Sequence, residues 1–392
     1  MMALSIRGLF SALRLKTGTK LPQSGLSAAW RYAQLSSLTP ATSFQIQPAS
    51  SRFFATSSAA MSKPHILLLG KISHASAEWE ALADVATLSV VESANRDEFI
   101  KDLKGKYSDI TAIYRTFASV AITGFFDEPL FEAFPASLKF ICHNGAGYDQ
   151  IDIHSAIAHG VRVSNCPSTV DDATADVNMF LILGALRNFN QGLNSLRSGN
   201  WNKNVPLAHD PEGKVLGILG MGGIGRAVKT RAEAFGMTVQ YYNRNKLSEE
   251  LSGGAKYVSF DELLATSDVL SLNLPLNANT RHTINKEAFS KMKDGVFIVN
   301  TARGAVMDEA ALVEALESGK VASAGLDVFE SEPSIHPGLL SNDKVILLPH
   351  LGTLTYETQK KMEVQVIDNI RAALTTGKLN TLVPEQVAAK MQ

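Results

Sequence analysis

Residues 214–226 read KVLGILGMGGIGR, in which a short β-rich apolar run enters a turn of the form Gly-x-Gly-x-x-Gly. A helical pattern follows over residues 227–235, and a second strand-like run comes after it. A strand, a glycine turn, a helix and a second strand form the unit that binds a dinucleotide. In that unit Gly220 permits the tight turn, Gly222 lets a pyrophosphate approach the backbone, and Gly225 lets the helix pack closely against the strand. The expected phosphate-binding residues, at the helix N-terminus, are Gly220, Gly222, Gly223, Ile224 and Gly225.

The residue after the second strand indicates which dinucleotide is preferred. In NAD-binding units this position usually carries a carboxylate that binds the adenosine ribose. Here the position is Asn243, and Arg244 follows it. Without the carboxylate a 2′-phosphate is not repelled, and an arginine can pair with that phosphate through charge-assisted hydrogen bonds. The sequence therefore predicts NADP(H) as the preferred cofactor, with NAD(H) as the alternative if Arg244 is only a solvated surface charge.

On both sides of this unit, from residue 64 onward, short β-rich runs alternate with helical patterns. This alternation predicts an α/β protein with parallel sheets covered by helices. Nine candidate strands are too many for one sheet, so we expect a break near residues 165–167 and then a helix over residues 171–189. A last helical pattern, from Met362 to Ile370, has no strand after it. The nine runs are residues 66–69, 110–114, 140–143, 215–219, 239–242, 269–274, 296–300, 324–328 and 345–348.

Residues 1–60 differ in composition from the rest of the chain, with six basic side chains, eleven serines and no Asp or Glu. Such a composition is typical of a mitochondrial transit peptide. We therefore expect a disordered targeting segment that directs the protein to the mitochondrial matrix and is cleaved near Ala55, after Arg52-Phe-Phe. The alternative is an ordinary disordered tail. Met61 directly precedes the first strand-like run, so internal initiation would give a shorter cytosolic form.

The charge of the remaining chain excludes several classes of partner. The whole chain has 37 Lys and Arg against 38 Asp and Glu, and removing the six leading basic residues leaves 31 against 38, a net charge of −7. No basic surface for nucleic acid is therefore expected. Cys142 and Cys166 cannot by themselves form a disulfide framework or a thiolate metal site, so no metal site is predicted. No apolar run approaches the roughly 18 residues that would span a bilayer, so we expect no membrane association.

Three ionisable residues follow predicted strands: Arg303, Glu332 and His350. Loops at the carboxyl ends of parallel strands face the ligand crevice of an open α/β sheet. There an arginine can bind a carboxylate or polarise a keto group, a histidine can deliver a proton, and a carboxylate can orient the imidazole. The three together suit the reduction of a 2-keto acid. Taken singly, Glu332 could instead begin a turn before Pro333, and His350 could be a core histidine.

Six motifs occur here in the order and spacing of one enzyme family. The chain resembles the D-isomer-specific 2-hydroxyacid dehydrogenases over about residues 64–385. Within that family it is most similar to the fungal glyoxylate and hydroxypyruvate reductases. The motifs are the glycine turn and residues 144–152, 274–282, 300–312, 325–333 and 349–353.

The resemblance implies a role for individual residues. Arg303 would be the substrate-binding arginine, His350 the acid/base and also part of the substrate site, and Glu332 its carboxylate partner. The backbone amides of Ala146 and Gly147 would receive the substrate carboxylate. Asp176 departs from the family pattern, which more often has Glu there. Besides the glycine turn, Asn243 and Arg244, the implied cofactor contacts are Thr174, Leu274, Pro275, Thr280, Thr301, Ala302, Arg303, Asp327, His350 and Gly352.

The resemblance also implies an activity and an architecture. The activity would be NAD(P)H-dependent reduction of a small 2-keto acid, glyoxylate or hydroxypyruvate, to the D-2-hydroxy acid. The architecture would be two Rossmann-like domains with a cleft between them, one dinucleotide-binding over residues 167–349 and one flavodoxin-like substrate domain. The substrate domain would be discontinuous, made of residues 61–166 and 350–392. The family also implies a homodimer joined near residues 175–205.

Alternatives remain open at this point. A 3-phosphoglycerate dehydrogenase-like enzyme and a reductase of larger 2-keto acids are the nearest. A dinucleotide-sensing corepressor with the same three residues is an alternative of another class, against which the leading segment argues. Tyr114 and Arg115, at the end of a predicted strand, either line the pocket for the substrate side chain or are packing and surface residues.

Overall fold

The computed structural model describes residues 62–391 of the chain. The predicted targeting segment, its cleavage site and Met61 lie outside these residues. Within them the chain forms two parallel sheets, which confirms the predicted α/β class. No helix among residues 62–391 has the length and apolarity that a bilayer crossing requires.

The first sheet has five strands in the order β2-β1-β3-β4-β5, with every pair parallel. This is the flavodoxin-like order of a doubly wound sheet. Its strands are β1 His65–Leu69, β2 Thr87–Val90, β3 Ile110–Thr116, β4 Phe140–Asn144 and β5 Arg162–Ser164.

The second sheet has seven parallel strands in the order β12-β11-β10-β9-β6-β7-β8. The order of strands reverses between β6 and β9, and ligands bind such sheets in the crevice at this reversal, outside the carboxyl ends of the strands. The strands are β6 Val215–Leu219, β7 Thr238–Tyr242, β8 Lys256–Tyr257, β9 Val269–Leu272, β10 Val296–Asn300, β11 Val321–Leu326 and β12 Val345–Leu347.

Helices cover both sheets. Those around the first sheet are α1 Ser76–Glu80, α2 Arg96–Asp102, α3 Val120–Thr123, α4 Glu128–Ala133 and α5 Ile153–Ala158. Then follow α6 Asp171–Leu186, α7 Phe189–Arg197, α8 Gly223–Ala234, α9 Glu249–Ser252, α10 Phe260–Thr266, α11 Lys286–Lys291, α12 Glu309–Glu317, α13 Pro337–Leu340, α14 Tyr356–Thr376 and α15 Pro384–Ala388. Three short 3₁₀ helices span Ala81–Asp84, Phe117–Ser119 and Gly304–Val306.

All nine strand-like runs are strands, but some predicted bounds are wrong. The strand predicted at 269–274 ends two residues earlier, at Leu272. The strand predicted at 324–328 begins three residues earlier, at Val321, and ends two residues earlier, at Leu326. The sequence also missed β2, β5 and β8, which are all edge strands. An edge strand has one neighbour and buries less apolar surface, so its sequence is less distinct from a loop.

The prediction of a single helix over residues 171–189 is also wrong, because α6 ends at Leu186 and α7 begins at Phe189. Asn188 separates the two helices with φ of 52°. Asparagine tolerates this left-handed conformation better than most residues, and it interrupts the helical hydrogen bonds. The helix expected over residues 227–235 begins four residues earlier, at Gly223, inside the glycine turn.

The closing helix α14 packs against the first sheet, not the second. Met362, Val366 and Ile370 lie in one buried cluster with Ile66 and Tyr114. This contact brings the end of the chain to the sheet with which the chain begins. The boundaries proposed above for the two domains remain a prediction.

Candidate active site

A cavity of about 640 Å³ lies where loops of the two sheets face each other. Its walls include residues that follow β1, β3, β4, β9, β10, β11 and β12, together with parts of α6, α8 and α14. All three predicted catalytic residues, Arg303, Glu332 and His350, line it, as do Ala146 and Gly147. Parallel strands that end at one edge thus bring together residues more than 200 positions apart in the chain.

His350 and Glu332 form a directly bonded pair in this cavity. The Nδ1–H of His350 donates to Glu332 Oε2 at 2.9 Å, and the amide of Phe329 donates to Glu332 Oε1 at 3.0 Å. Burial raises the pKa of Glu332, but these bonds and the charges of His350 and Arg303 outweigh it and hold the pKa below its usual value. Glu332 is therefore an ionised acceptor that fixes the imidazole and leaves its Nε2 available to a ligand.

The backbone at His350 is held separately from its side chain. His350 has φ of 56°, in the left-handed region, and its N–H donates to the carbonyl of Asp327 at 2.9 Å. The strand-to-loop connection after β12 therefore keeps its course if the imidazole is removed.

Glu332→Gln is expected to lower kcat about 100-fold, because the amide keeps a hydrogen bond to the imidazole but cannot stabilise its charged form. The ionised Glu332 of the wild type also stabilises the fold above its ordinary pKa of 4.5, and this stabilisation is lost as the pH falls through the lower folded value. The stability of the variant should not show this loss at acid pH. Steady-state kcat and thermal unfolding between pH 3 and pH 7 measure the two effects.

Glu330→Gln is the matched control, because Glu330 lies two residues before Glu332 in the chain and also bonds to a histidine, His282, but does not line the cavity. Its kcat should stay within about threefold of the wild type. Equal losses of kcat in the two variants would contradict the role of Glu332.

Arg303 extends from the end of β10 towards the loop that follows β4. Its Nε donates to Asp149 Oδ1 at 2.8 Å, and its Nη1 donates to the carbonyl of Ala302 at 2.8 Å. Asn300, buried at the strand end, shapes the turn by accepting from the Ala302 amide and donating to the Arg303 carbonyl, both at 3.0 Å. The ring centroid of Phe117 lies 5.8 Å from Arg303 Cζ. The guanidinium is thus oriented from several sides before any substrate binds.

The loop of residues 145–149 fits the carboxylate site predicted for it. The amides of Ala146 and Gly147 donate to no protein atom within the described part of the chain. A Cβ at Gly147 would collide with Arg303 Nη2, so glycine is what lets the guanidinium approach this loop. Two free amides beside a guanidinium form a binding site for a carboxylate.

The glycine turn has the shape that a pyrophosphate requires. Gly220 has φ of 94°, a Cβ at Gly225 would lie 2.7 Å from the Gly220 carbonyl oxygen, and the space beside Gly222 is open. The amides of Gly223 and Ile224 have no acceptor among residues 62–391. The residues present therefore fit a dinucleotide at the start of α8.

Asn243 and Arg244 are placed differently from each other. Asn243 turns inward, and its Oδ1 accepts from the Met221 amide at 2.6 Å, so its side chain supports the glycine turn. Arg244 is exposed at the end of β7, with no hydrogen bond or ion pair among the described residues. The neutral Asn243 leaves that end of the turn without a carboxylate.

Most of the remaining predicted cofactor contacts border the cavity. Asp327 is 1% exposed, and its carboxylate accepts from the amides of Leu351 at 2.7 Å and Gly352 at 2.9 Å; burial raises its pKa. Thr280 is the exception, because its hydroxyl donates to the Pro275 carbonyl at 2.6 Å within a surface turn and does not line the cavity. The bordering residues are Thr174, Ile224, Leu274, Pro275, Thr301, Ala302, Asp327 and Gly352.

The structure supports one of the two alternatives for Tyr114 and Arg115 and adds residues that the sequence did not single out. Tyr114 and Arg115 are fully buried packing residues that do not line the cavity, whereas Phe117, two residues after Arg115 and 39% exposed, does. Asp149 and Asn178 were also missed. Asn178 donates to Thr301 Oγ1 at 2.8 Å from a buried face of α6. An asparagine among apolar residues was the signal that could have identified it.

Comparison with known proteins gives the relatives of the chain. A family model described as D-isomer specific 2-hydroxyacid dehydrogenase, NAD binding domain, matches residues 179–352. The chain is 58% identical to 4-methyl-2-oxopentanoate reductase A of Aspergillus oryzae, over 82% of this chain and 98% of that protein.

Two solved structures are similar over most of the chain. A glyoxylate reductase from Paecilomyes thermophila is 57% identical with a TM-score of 0.82, covering 83% of this chain and 100% of that one. An NADPH-dependent glyoxylate/hydroxypyruvate reductase from Sinorhizobium meliloti, in complex with NADP and malonate, is 33% identical with a TM-score of 0.73. That match covers 83% of this chain and 98% of the other.

Proposed function

The chain belongs to the D-isomer-specific 2-hydroxyacid dehydrogenases, an oxidoreductase family, and from this premise we propose that it reduces glyoxylate or hydroxypyruvate. Reduction of a 2-keto acid to a 2-hydroxy acid with a nicotinamide dinucleotide is the activity of its relatives and of this chain. One observation carries the narrower proposal. The His350–Glu332 pair, Arg303 and the free amides of the loop 145–149 border a single cavity beside the dinucleotide turn.

In this mechanism the residues bind, orient and protonate the substrate. The amides of Ala146 and Gly147, with Arg303, receive the substrate carboxylate, and the guanidinium polarises the keto oxygen. A bound nicotinamide supplies the hydride that reaches the keto carbon. His350 then gives the proton on Nε2 to the nascent alkoxide, while Glu332 stabilises the imidazolium before transfer. The product is the D-2-hydroxy acid, or glycolate from glyoxylate.

A larger 2-keto acid is a second candidate substrate. The Aspergillus oryzae relative is named for 4-methyl-2-oxopentanoate, and the apolar ring of Phe117 borders the cavity here. The test is a series of keto acids assayed with NADPH and NADH, reporting kcat/KM for glyoxylate, hydroxypyruvate, 4-methyl-2-oxopentanoate and 3-phosphohydroxypyruvate. The proposal requires glyoxylate or hydroxypyruvate to give the highest value. A higher kcat/KM for 4-methyl-2-oxopentanoate would support the second candidate. The highest kcat/KM for 3-phosphohydroxypyruvate would contradict both candidates.

NADP(H) is the preferred cofactor in this proposal. The exposed Arg244 follows β7, and the neutral Asn243 before it does not repel a 2′-phosphate. Arg244→Gln is expected to raise KM for NADPH about tenfold or more and to change KM for NADH less than about twofold. Lys256→Gln, which removes another cation from the same sheet, serves as the control. A wild-type preference for NADH would contradict the proposal.

The proposed assembly is a homodimer formed through α6, α7 and the loop that follows. Phe189, Leu193 and Leu196 form an exposed apolar stripe on α7 at helical spacing. Such a stripe is typical of a surface that another chain covers. The exposed apolar residues of the region are Phe180, Phe189, Leu193, Leu196, Trp201 and Leu207.

Sedimentation of Leu193→Asp tests the dimer. The wild type should sediment at twice the chain mass of 42.2 kDa, and the variant at the mass of one chain. Leu251→Asp, at an exposed leucine outside this region, should stay dimeric. A monomeric wild type would refute the assembly.

The proposed location is the mitochondrial matrix. The acid-free, serine-rich composition of residues 1–60 supports it. Fractionation of cells that express the full chain should find a product shortened to near Ala55 in mitochondria. A cytosolic product that begins at Met61 would identify the second form, and an uncleaved cytosolic chain alone would contradict the proposal.

A further inference from the structure

A buried arginine lies beneath the loop that is proposed to bind the substrate carboxylate. Arg115, near the end of β3, is 0% exposed. Its Nη2 donates to Gln150 Oε1 at 2.7 Å, its Nη1 donates to His143 Nδ1 at 3.1 Å, and its Cζ lies 4.9 Å from the Phe126 ring centroid. No carboxylate within residues 62–391 forms an ion pair with it. The guanidinium is therefore a buried cation held by neutral partners.

His143 connects this arginine to the loop. Its Nε2 lies 3.0 Å from the carbonyl oxygen of Gly147. Because Nδ1 accepts from Arg115, the ring proton is on Nε2, which donates to that carbonyl. Burial and then the charge of Arg115 lower the pKa of His143 to about 3, so the ring stays neutral in this role at neutral pH. Arg115, His143 and the Gly147 backbone thus form a continuous chain of hydrogen bonds.

The same loop is held from its other side by Arg303. Asp149 accepts from Arg303 Nε, and Gly147 lies against the end of the Arg303 guanidinium. Burial lowers the pKa of Arg115 to about 10, while the charge of Asp149 opposes this change, so Arg115 remains charged at neutral pH. The loop therefore separates two cations that share one nearby carboxylate.

A buried cation without a bonded counter-ion is unfavourable unless another charge compensates it. The free amides of Ala146 and Gly147 mark where an anion can bind beside Arg303, in the loop that His143 joins to Arg115. A substrate carboxylate at this position would supply the missing negative charge. It would also meet amides whose orientation depends on the bond from His143 to Gly147.

We propose that Arg115, acting through His143 and Gln150, is a positioning residue for the substrate carboxylate. It holds the loop 145–149 with its free amides towards the cavity and supplies the charge that the bound carboxylate balances. This inference rests on the proposed function, because it requires a 2-keto acid carboxylate at Ala146 and Gly147.

Arg115→Gln tests the proposal, because glutamine can keep hydrogen bonds while it removes the charge. KM for the keto acid and the inhibition constant for oxalate are expected to rise about tenfold to 100-fold. The Kd for NADPH should change less than about twofold, and kcat less than about threefold. KM, the inhibition constant and the Kd do not depend on the folded fraction of a preparation. Arg115→Lys keeps the charge, so its KM should rise less than that of Arg115→Gln.

Arg371→Gln is the control, because Arg371 binds Asp84 and the Ala81 carbonyl at a distance from the cavity. It should lower thermal stability without changing KM. If Arg115→Gln yields no folded protein, His143→Gln and His143→Ala replace it. Glutamine can still donate to the Gly147 carbonyl, so its KM should stay within about threefold, whereas the alanine variant should show the tenfold rise.

Three outcomes overturn the inference: an unchanged KM in Arg115→Gln, a Kd for NADPH that rises by the same factor as KM, or equal KM values in the two His143 variants. Absence of turnover by the wild type on any 2-keto acid is a different result, because it contradicts the proposed function itself. Turnover by the wild type with an unaltered KM in the variant contradicts only the role of Arg115.

Discussion

His350→Ala is expected to lower kcat by about three orders of magnitude, since it removes the only imidazole among the described residues that line the cavity, and with it the proposed proton donor. The fold should persist, because the backbone N–H of His350 donates to the Asp327 carbonyl and this bond remains when the ring is removed. The Kd for NADPH should stay within about twofold, because the imidazole forms no hydrogen bond with the glycine turn among the described residues. Single-turnover reduction of the keto acid and NADPH fluorescence titration measure the two quantities.

His154→Ala provides the control, because His154 is an exposed histidine outside the cavity. Its kcat should equal that of the wild type. Retained turnover in His350→Ala, within about tenfold of the wild type, would remove His350 from the mechanism.

Arg303→Gln is expected to lower kcat/KM by about three to four orders of magnitude. In the proposed mechanism the guanidinium both binds the carboxylate and stabilises the developing oxyanion, so its loss should affect the ground state and the transition state together. KM should therefore rise and kcat should fall, in contrast to the KM effect alone expected for Arg115→Gln. The separate constants come from initial rates over a range of keto acid concentrations.

Arg281→Gln is the matched control, because Arg281 is an exposed arginine beside Glu330 that does not line the cavity. Arg303→Lys should not restore activity, since a lysine cannot keep the Nε bond to Asp149 while also reaching the substrate. A lysine variant with more than about a tenth of the wild-type kcat/KM would show that charge alone suffices.

The dinucleotide unit could be predicted from the sequence because its features are local. The run 214–226 carries the strand, the glycines and the helix start within 13 residues, and each constraint acts on neighbouring backbone. The break between α6 and α7 at Asn188 could not be predicted in this way, because apolar periodicity continues across it. The edge strands β2, β5 and β8 were not predicted, because each lacks a neighbour on one side and its sequence is therefore less apolar than that of a central strand.

A site residue could be predicted from the sequence only where it belongs to a recognisable motif. Arg303, Glu332 and His350 each follow a strand, and the structure brings them to one cavity. Arg115 was a candidate pocket residue by its position at a strand end, but β3 directs it inward to His143 instead. Contacts between different strands of the sheet determine the direction of this side chain. The order of residues along one strand does not reveal those contacts.

In the proposed mechanism hydride and proton reach the substrate in this cavity to give a D-2-hydroxy acid. The most direct measurement uses the full chain, hydroxypyruvate and NADPH that carries deuterium at the transferable position of C4. The glycerate is then analysed by chiral chromatography and mass spectrometry. We expect the wild type to form D-glycerate with one deuterium at C2, and His350→Ala not to form it. L-glycerate, or product without deuterium, would contradict it.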